Sequence, residues 1–131
     1  MEQEKTIFEK IIDGEIPCTK VYEDEKLLAF LDINPVYYGH TLIIPKEKYV
    51  WMQDAPDNLI SDIFIKTKEL MKSIKKGLSC DYVQVSVVGD EVPHFHIHLI
   101  PRYHGRKNTG RINYKSSEQM NEYAEKIKSF L

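Results

Sequence analysis

The residues most able to do chemistry stand in one short stretch, VPHFHIHLIP, residues 92–101. His94, His96 and His98 occupy every second position, in a chain that has five histidines in all. On a β-strand alternate side chains share a face, so these three imidazoles would line one face about 7 Å apart in succession. Phe95, Ile97 and Leu99 would point the other way, into a core. Three chemistries fit such a row. Two histidines at i and i+2 can chelate a metal ion, but such sites recruit further carboxylates or histidines. The remaining histidines, His40 and His104, show no ligand spacing. A neutral imidazole can instead attack phosphorus and carry a covalent intermediate. That requires its other ring nitrogen to be held as N–H, while neighbouring imidazoles bind phosphoryl oxygens or protonate a leaving group. The third reading is an exposed polar face that happens to use histidine, although such faces ordinarily carry Thr, Lys, Glu or Ser. The surrounding charge favours phosphate. No acid lies between Glu91 and Glu118, while Arg102, Arg106, Lys107, Arg111 and Lys115 do. The stretch reads as a rim that attracts an anionic substrate, or as a solvated basic loop.

The elements that must position this row follow from periodicity. Ile7, Phe8, Ile11 and Ile12 have helical spacing, and Gly14 can end that helix. Residues 19–24 and 27–33 read as two strands around a charged turn, 32–40 as a loop containing Asn34-Pro35 and Gly39, and 40–45 as a buried strand. From 57 to 76 apolar residues recur three and four apart, which predicts an amphipathic helix with a Lys75-Lys76-Gly77 end. Residues 81–89 and 93–101 read as strands joined by a short turn. Ser116 with Gln119 offers a capping box for a last helix, with Met120, Tyr123, Ile127 and Phe130 inward. The order α-β-β-β-α-β-β-α implies an α+β fold with a mostly antiparallel sheet.

The totals bound the rest. A chain of 131 residues suits one domain. Eighteen basic against twenty acidic residues, a net charge of −2, argue against a nucleic-acid partner or a membrane surface. Cys18 and Cys80 form neither a CxxC nor a disulfide framework. The N-terminus MEQEKTIFEK carries acids and has no long apolar core, so no signal peptide is expected, and no apolar run is long enough to span a membrane. A cytoplasmic setting is the expectation.

HFHIHLI fits the alternating pattern of the histidine triad (HIT) family of nucleotide hydrolases and transferases, and residues 7–46 resemble the family's N-terminal half throughout. The resemblance covers 7 to about 102. It implies a five-stranded antiparallel sheet that pairs with a second subunit into a ten-stranded homodimer. It implies purine nucleotide substrates of the AMP kind: nucleoside 5′-phosphoramidates, nucleotidyl-lysines or dinucleoside polyphosphates. His96 would be the nucleophile, taking a nucleoside monophosphate that water then releases. His98 would contact the α-phosphate and leaving group, and His94 with His40 would orient and polarise the nucleophile. Asp32 matches the acid that binds ribose hydroxyls, and Phe8, Ile11, Phe30 and Ile33 match the apolar base pocket. Phe30 and Ile33 read equally as plain core, and Asp32 as a turn residue before Asn34-Pro35. A nucleotide-binding regulator with little turnover, and a metal-binding protein, are the competing function classes.

Two departures from the family pattern stand out. Residues 86–93, SVVGDEVP, are shorter than the family's glycine-rich run and keep only Gly89, and Glu91 sits where a hydroxyl or amide is usual near the phosphate. A carboxylate there repels phosphate unless it points away or is protonated. The cysteines with which some members bind structural zinc are replaced by Thr6 and Glu9, and a histidine by Lys48. No structural zinc, and no cofactor, is expected.

Overall fold

The computed structural model describes residues 4–107 and 110–131. Residues 1–3, part of the stretch read as lacking a signal peptide, and 108–109, within the basic stretch, lie outside the described residues. Five strands, β1 (Lys20–Glu23), β2 (Leu27–Leu31), β3 (Thr41–Pro45), β4 (Tyr82–Ser86) and β5 (Ile97–Arg102), form one sheet in the order β1-β2-β3-β5-β4. All its pairings are antiparallel. Among the described residues three α-helices accompany it: α1 (Ile7–Ile12), α2 (Asp57–Leu78) and α3 (Ser117–Lys128). The fold is α+β, as the element order implied. No helix among the described residues is long and apolar enough to cross a membrane.

LLAFL and TLIIP do not alternate because both faces of the central strands are covered, and every residue of β2 and β3 is buried. On one face Leu27, Ala29, Leu31, Ile43, Ile97 and Leu99 pack with α2 and α3. On the other, Leu28, Phe30, Leu42 and Ile44 pack on Phe8 of α1. Burying a side chain such as Phe8 stabilises the fold by roughly 1.5–3 kcal/mol. The register aligns one cross-strand row, Phe30↔Leu42↔His98↔Ser86, on the α1 face. A histidine thus reaches the same face as the apolar floor laid by β2 and β3.

The histidine segment departs from its expected strand. Only His98 lies in β5, and His94 and His96 precede it. The pairing of β3 with β5 ends at Ile43↔Ile97. Pro45 has no N–H to extend the ladder, and the Phe95 N–H donates instead to Tyr49 O at 2.6 Å. β4 likewise stops at Ser86, short of residue 89, and β2 ends at Leu31 rather than 33.

The helices show three further differences. Gly77 does not end α2, which runs on to Leu78 and stops at Ser79 in the left-handed region, φ 54°. Gly77 is there for close approach, since a Cβ on it would lie 2.3 Å from Lys126 O of α3. Ser116 caps α3 by accepting from Gln119 N, but Gln119 Oε1 accepts from Lys115 N rather than closing the box on Ser116. Phe130 is exposed, and Ala124 is buried in its place beside Met120 and Ile127. α1 ends as expected, with Gly14 N–H bonded to Ile11 O. It also starts on a full capping box between Thr6 and Glu9, worth about 1 kcal/mol.

Candidate active site

The four histidines named above as candidates are all buried: His40 and His94 at 0% exposure, His96 at 2% and His98 at 5%. Main-chain groups hold His40, His94 and His96, and His40 in turn holds His98; these contacts assign the protons. The Val36 N–H donates to His40 Nδ1 at 3.0 Å. A neutral His40 therefore carries its proton on Nε2, which donates to His98 Nδ1 at 3.0 Å. That leaves the His98 proton on Nε2. His96 Nδ1 lies 2.7 Å from the carbonyl oxygen of His94, so it holds the proton and donates. The lone pair of His96 is then on Nε2, the state a nucleophilic imidazole requires. His94 Nε2 donates to Pro45 O at 2.8 Å, and its Nδ1 is buried without a hydrogen-bond partner among the described residues.

Burial favours the neutral form of His40, His94 and His98. It pushes the His40 pKa down to about 3, with the neighbouring His98 and Arg111 adding to the effect. Burial also lowers His98, with His96 next in importance, and lowers His94 against the Pro45 hydrogen bond. Ligand atoms of Asp32, His40 and His98 lie within 4.8 Å of one another, near enough to hold an ion. The proton on His40 Nε2 fits a hydrogen-bonded chain better, because a metal there needs the lone pair that the Val36 N–H has assigned to Nδ1.

His96 and His98 open on a pocket whose apolar walls include Phe8, Ile11, Phe30 and Ile33, with Asp32 and Glu91 as its acids. Phe8 stacks edge-on to His96, ring centroids 4.9 Å apart, and to Phe30 at 5.7 Å. Asp32 Oδ1 accepts from Asn34 N at 2.9 Å, a turn contact, while Oδ2 accepts from Arg111 Nη1 at 2.8 Å. The pair of readings for Phe30 merges: it is core, at 3% exposure, and also pocket wall. Ile33 is 69% exposed, so it is wall without being core.

The HIT domain family profile matches residues 13–105. The chain belongs to the HIT family. An uncharacterized HIT-like protein of Methanocaldococcus jannaschii is 40% identical over 126 residues, covering 93% of this chain and 98% of its own. The adenosine 5′-monophosphoramidase of Candida albicans is 39% identical over 105 residues, covering 73% of this chain and 69% of its own. A crystal structure of a HIT-like protein from Bartonella henselae superposes with a TM-score of 0.92 at 34% identity, over 99% of this chain and 98% of the other.

Within this HIT fold the candidate residues do not all meet. His40 touches His98, not His96, and what holds His96 is the carbonyl of His94 rather than its imidazole. The side chain of His94 faces Pro45, and neither it nor His40 lines the pocket. The positions where zinc cysteines were sought carry the Thr6–Glu9 cap, with Lys48 Nζ 3.3 Å from Glu9 Oε1. Of the basic rim, Arg106 lies over the rings of Tyr37 and Tyr103 and Arg102 donates to Gln84, away from the histidines. Among the described residues of that rim, only Arg111 reaches the acids of the pocket. Other wall residues, Ile7, Ile16, Pro17, Cys18, Leu42 and Val92, carried no signal except apolarity. Trp51 was also missed: its ring lies against Gly89, where a Cβ would fall 2.8 Å from it and φ is +87°. Glycine at 89 thus lets the short loop lie flat on Trp51.

Proposed function

We propose that this chain, read as one HIT-like domain over residues 1–131, hydrolyses purine nucleotides at the α-phosphate through a nucleotidyl-His96 intermediate. Phosphoramidates and dinucleoside polyphosphates are the substrate classes. The observation that carries this reading is the His96 tautomer: Nδ1–H bonded to a buried carbonyl, leaving Nε2 free in a pocket with an apolar floor and an acid at its edge. The family relative named as an adenosine 5′-monophosphoramidase supports it. His96 Nε2 attacks phosphorus, and the P–N or P–O bond to the leaving group breaks. His98 Nε2–H gives its proton to the leaving atom, while the His40 Nε2–H bonded to His98 Nδ1 stabilises the charge that develops. Water then attacks the phosphorus of the adduct, returns a proton to His98, and releases the monophosphate and His96. The groups this reading uses are positioned imidazoles.

Rapid-quench trapping with labelled adenosine phosphoramidate tests the reading. A labelled adduct is expected in the parent and none in His96→Ala. An adduct retained in His96→Ala, or turnover abolished by a chelator, overturns it. AMP binding with no adduct in the parent favours the regulator instead. A homodimer belongs to the same reading, because β4 is an outer strand of the sheet with Tyr82, Val87 and Val88 exposed at or beside it. Sedimentation at micromolar concentration is expected to give twice the chain mass, and a clean monomer removes this part.

A further inference from the structure

The contacts of Arg111 cross the longest sequence gap in the site. Arg111 lies beyond the 13–105 that match the family profile, and 79 residues from the acid it binds. The segment that carries it runs back along the loop following β2. Ile112 N–H donates to Pro35 O at 2.8 Å, and Gly39 N–H donates to Tyr114 Oη at 2.7 Å. Both contacts fall on the turn after Asp32, so the guanidinium is delivered to that carboxylate by a segment tied at two points. Arg111 Nη1 donates to Asp32 Oδ2 at 2.8 Å and to Asn34 O at 2.9 Å, and Nη2 lies 3.5 Å from Glu91 Oε1.

We propose that Arg111 is a positioning residue for Asp32, fixing its carboxylate to receive both hydroxyls of a ribose. The proposal rests on the nucleotide reading above. Each carboxylate oxygen has two acceptor directions. Oδ1 spends one on the Asn34 N–H and Oδ2 spends one on Arg111, so each keeps one, which matches a vicinal diol. Asp32 lines the pocket and Arg111 does not, so the guanidinium holds the carboxylate from outside the wall. A carboxylate also lies close to the histidines here, Asp32 Oδ2 being 3.8 Å from His40 Nε2. An uncompensated negative charge at that place would oppose a phosphate. Arg111 supplies the compensating charge to Asp32 and to Glu91 together, which answers the repulsion expected of Glu91 in the sequence.

The test is calorimetric titration of the parent, Arg111→Ala, Arg111→Lys and Asp32→Ala with AMP and with 2′-deoxyAMP. The parent is expected to prefer AMP by about tenfold, the value of one hydrogen bond to a charged acceptor. In Arg111→Ala that preference falls to about threefold or less, because AMP loses affinity and 2′-deoxyAMP loses far less. Arg111→Lys restores the charge on Oδ2 but not the grip on Asn34 O, and recovers part of the preference. Equal losses for both ligands would reduce Arg111 to a tether for the chain. Tighter AMP binding by Arg111→Ala would make the guanidinium a competitor, and an unchanged preference would leave it without a part. Each of these overturns the proposal. A parent that binds neither ligand, or an Asp32→Ala that keeps the preference, fails the nucleotide reading itself and takes the Arg111 proposal with it. Thermal unfolding of each variant separates lost recognition from lost folding.

Discussion

The two sides of the pocket are held in opposite ways. On the histidine side, three main-chain groups, Val36 N–H, His94 C=O and Pro45 C=O, fix His40, His96 and His94, and the buried His40 ring holds His98. On the acid side, Asp32, Glu91 and Arg111 hold one another through partly exposed side chains. Main-chain anchors survive substitution of neighbouring side chains, and buried ones are little screened by salt. Exposed ion pairs are weak, adjustable and screened. On the function proposed above, the reacting groups sit in the rigid half, and the half that reads the ligand is the one a few substitutions can retune.

The largest effect expected within this contrast is on turnover at the rigid side. His98→Ala removes the Nε2–H that the proposed mechanism places at the leaving atom, and a loss of about 10²–10⁴-fold is expected, greatest for poor leaving groups. His40→Ala acts only through His98 and should cost less, with the same leaving-group trend. Steady-state rates on a substrate pair with good and poor leaving groups check this. An equal loss on both substrates would show that His98 serves binding and not proton transfer.

A smaller effect sharpens the main-chain argument. His94→Ala deletes a fully buried ring but leaves the carbonyl that holds His96 Nδ1. It leaves Pro45 O without its donor and opens space beside Phe8, whose ring centroid is 5.9 Å from that of His94. The expected cost is about 2–4 kcal/mol of stability, with turnover lowered by less than about tenfold in the protein that remains folded. Urea unfolding and initial rates measure the two separately. A turnover loss as large as that of His98→Ala, with stability intact, would give the His94 side chain the orienting role that the geometry assigns to its carbonyl. Because all four histidines are buried, each substitution is expected to cost some stability as well as turnover.

What the sequence disclosed depended on how local each cause is. The period-two histidines, the spacing in α2 and the capping signal at Ser116 are written within a few residues and were legible. Thr6-x-x-Glu9 is the same kind of local signal, a capping box at the start of α1. The early exit of His94 and His96 from the strand depends on where β3 runs out, a fact about a partner some fifty residues away. Gly77 resembles a helix stop until α3 is known to cross it. Arg111 looked like one cation among five, and nothing short of the folded loop distinguishes it from Arg106, which stacks on tyrosines instead. Ile33 and Phe30 share a residue class and a strand end, and only the turn after Leu31 separates wall from core.

The smallest expected effect is on stability as a function of pH, and it too separates the two sides. His40 titrates near 3 in the folded protein, and His94 and His98 are lowered from an ordinary value of 6.5, all chiefly through burial. Between those limits the unfolded chain binds more protons than the folded one, so stability rises with pH there. The stability associated with these neutral rings is therefore whole above 6.5 and is lost progressively as pH falls toward 3. Carboxylates held low in the fold, Glu9 by the Thr6 N–H and Glu23 by Lys20, add their own losses only below their ordinary value of 4.5. The window from about 6.5 to 5 thus reports the histidines. A melting temperature that declines by a few degrees across that window is expected in the parent. His40→Asn, whose amide oxygen can still accept the Val36 N–H, should flatten the decline while leaving the drop below 4.5 in place. A parent profile level down to 4.5, or an unaltered slope in His40→Asn, would mean that the buried rings do not stay neutral, and would undo the tautomer chain from which His98 takes its proton.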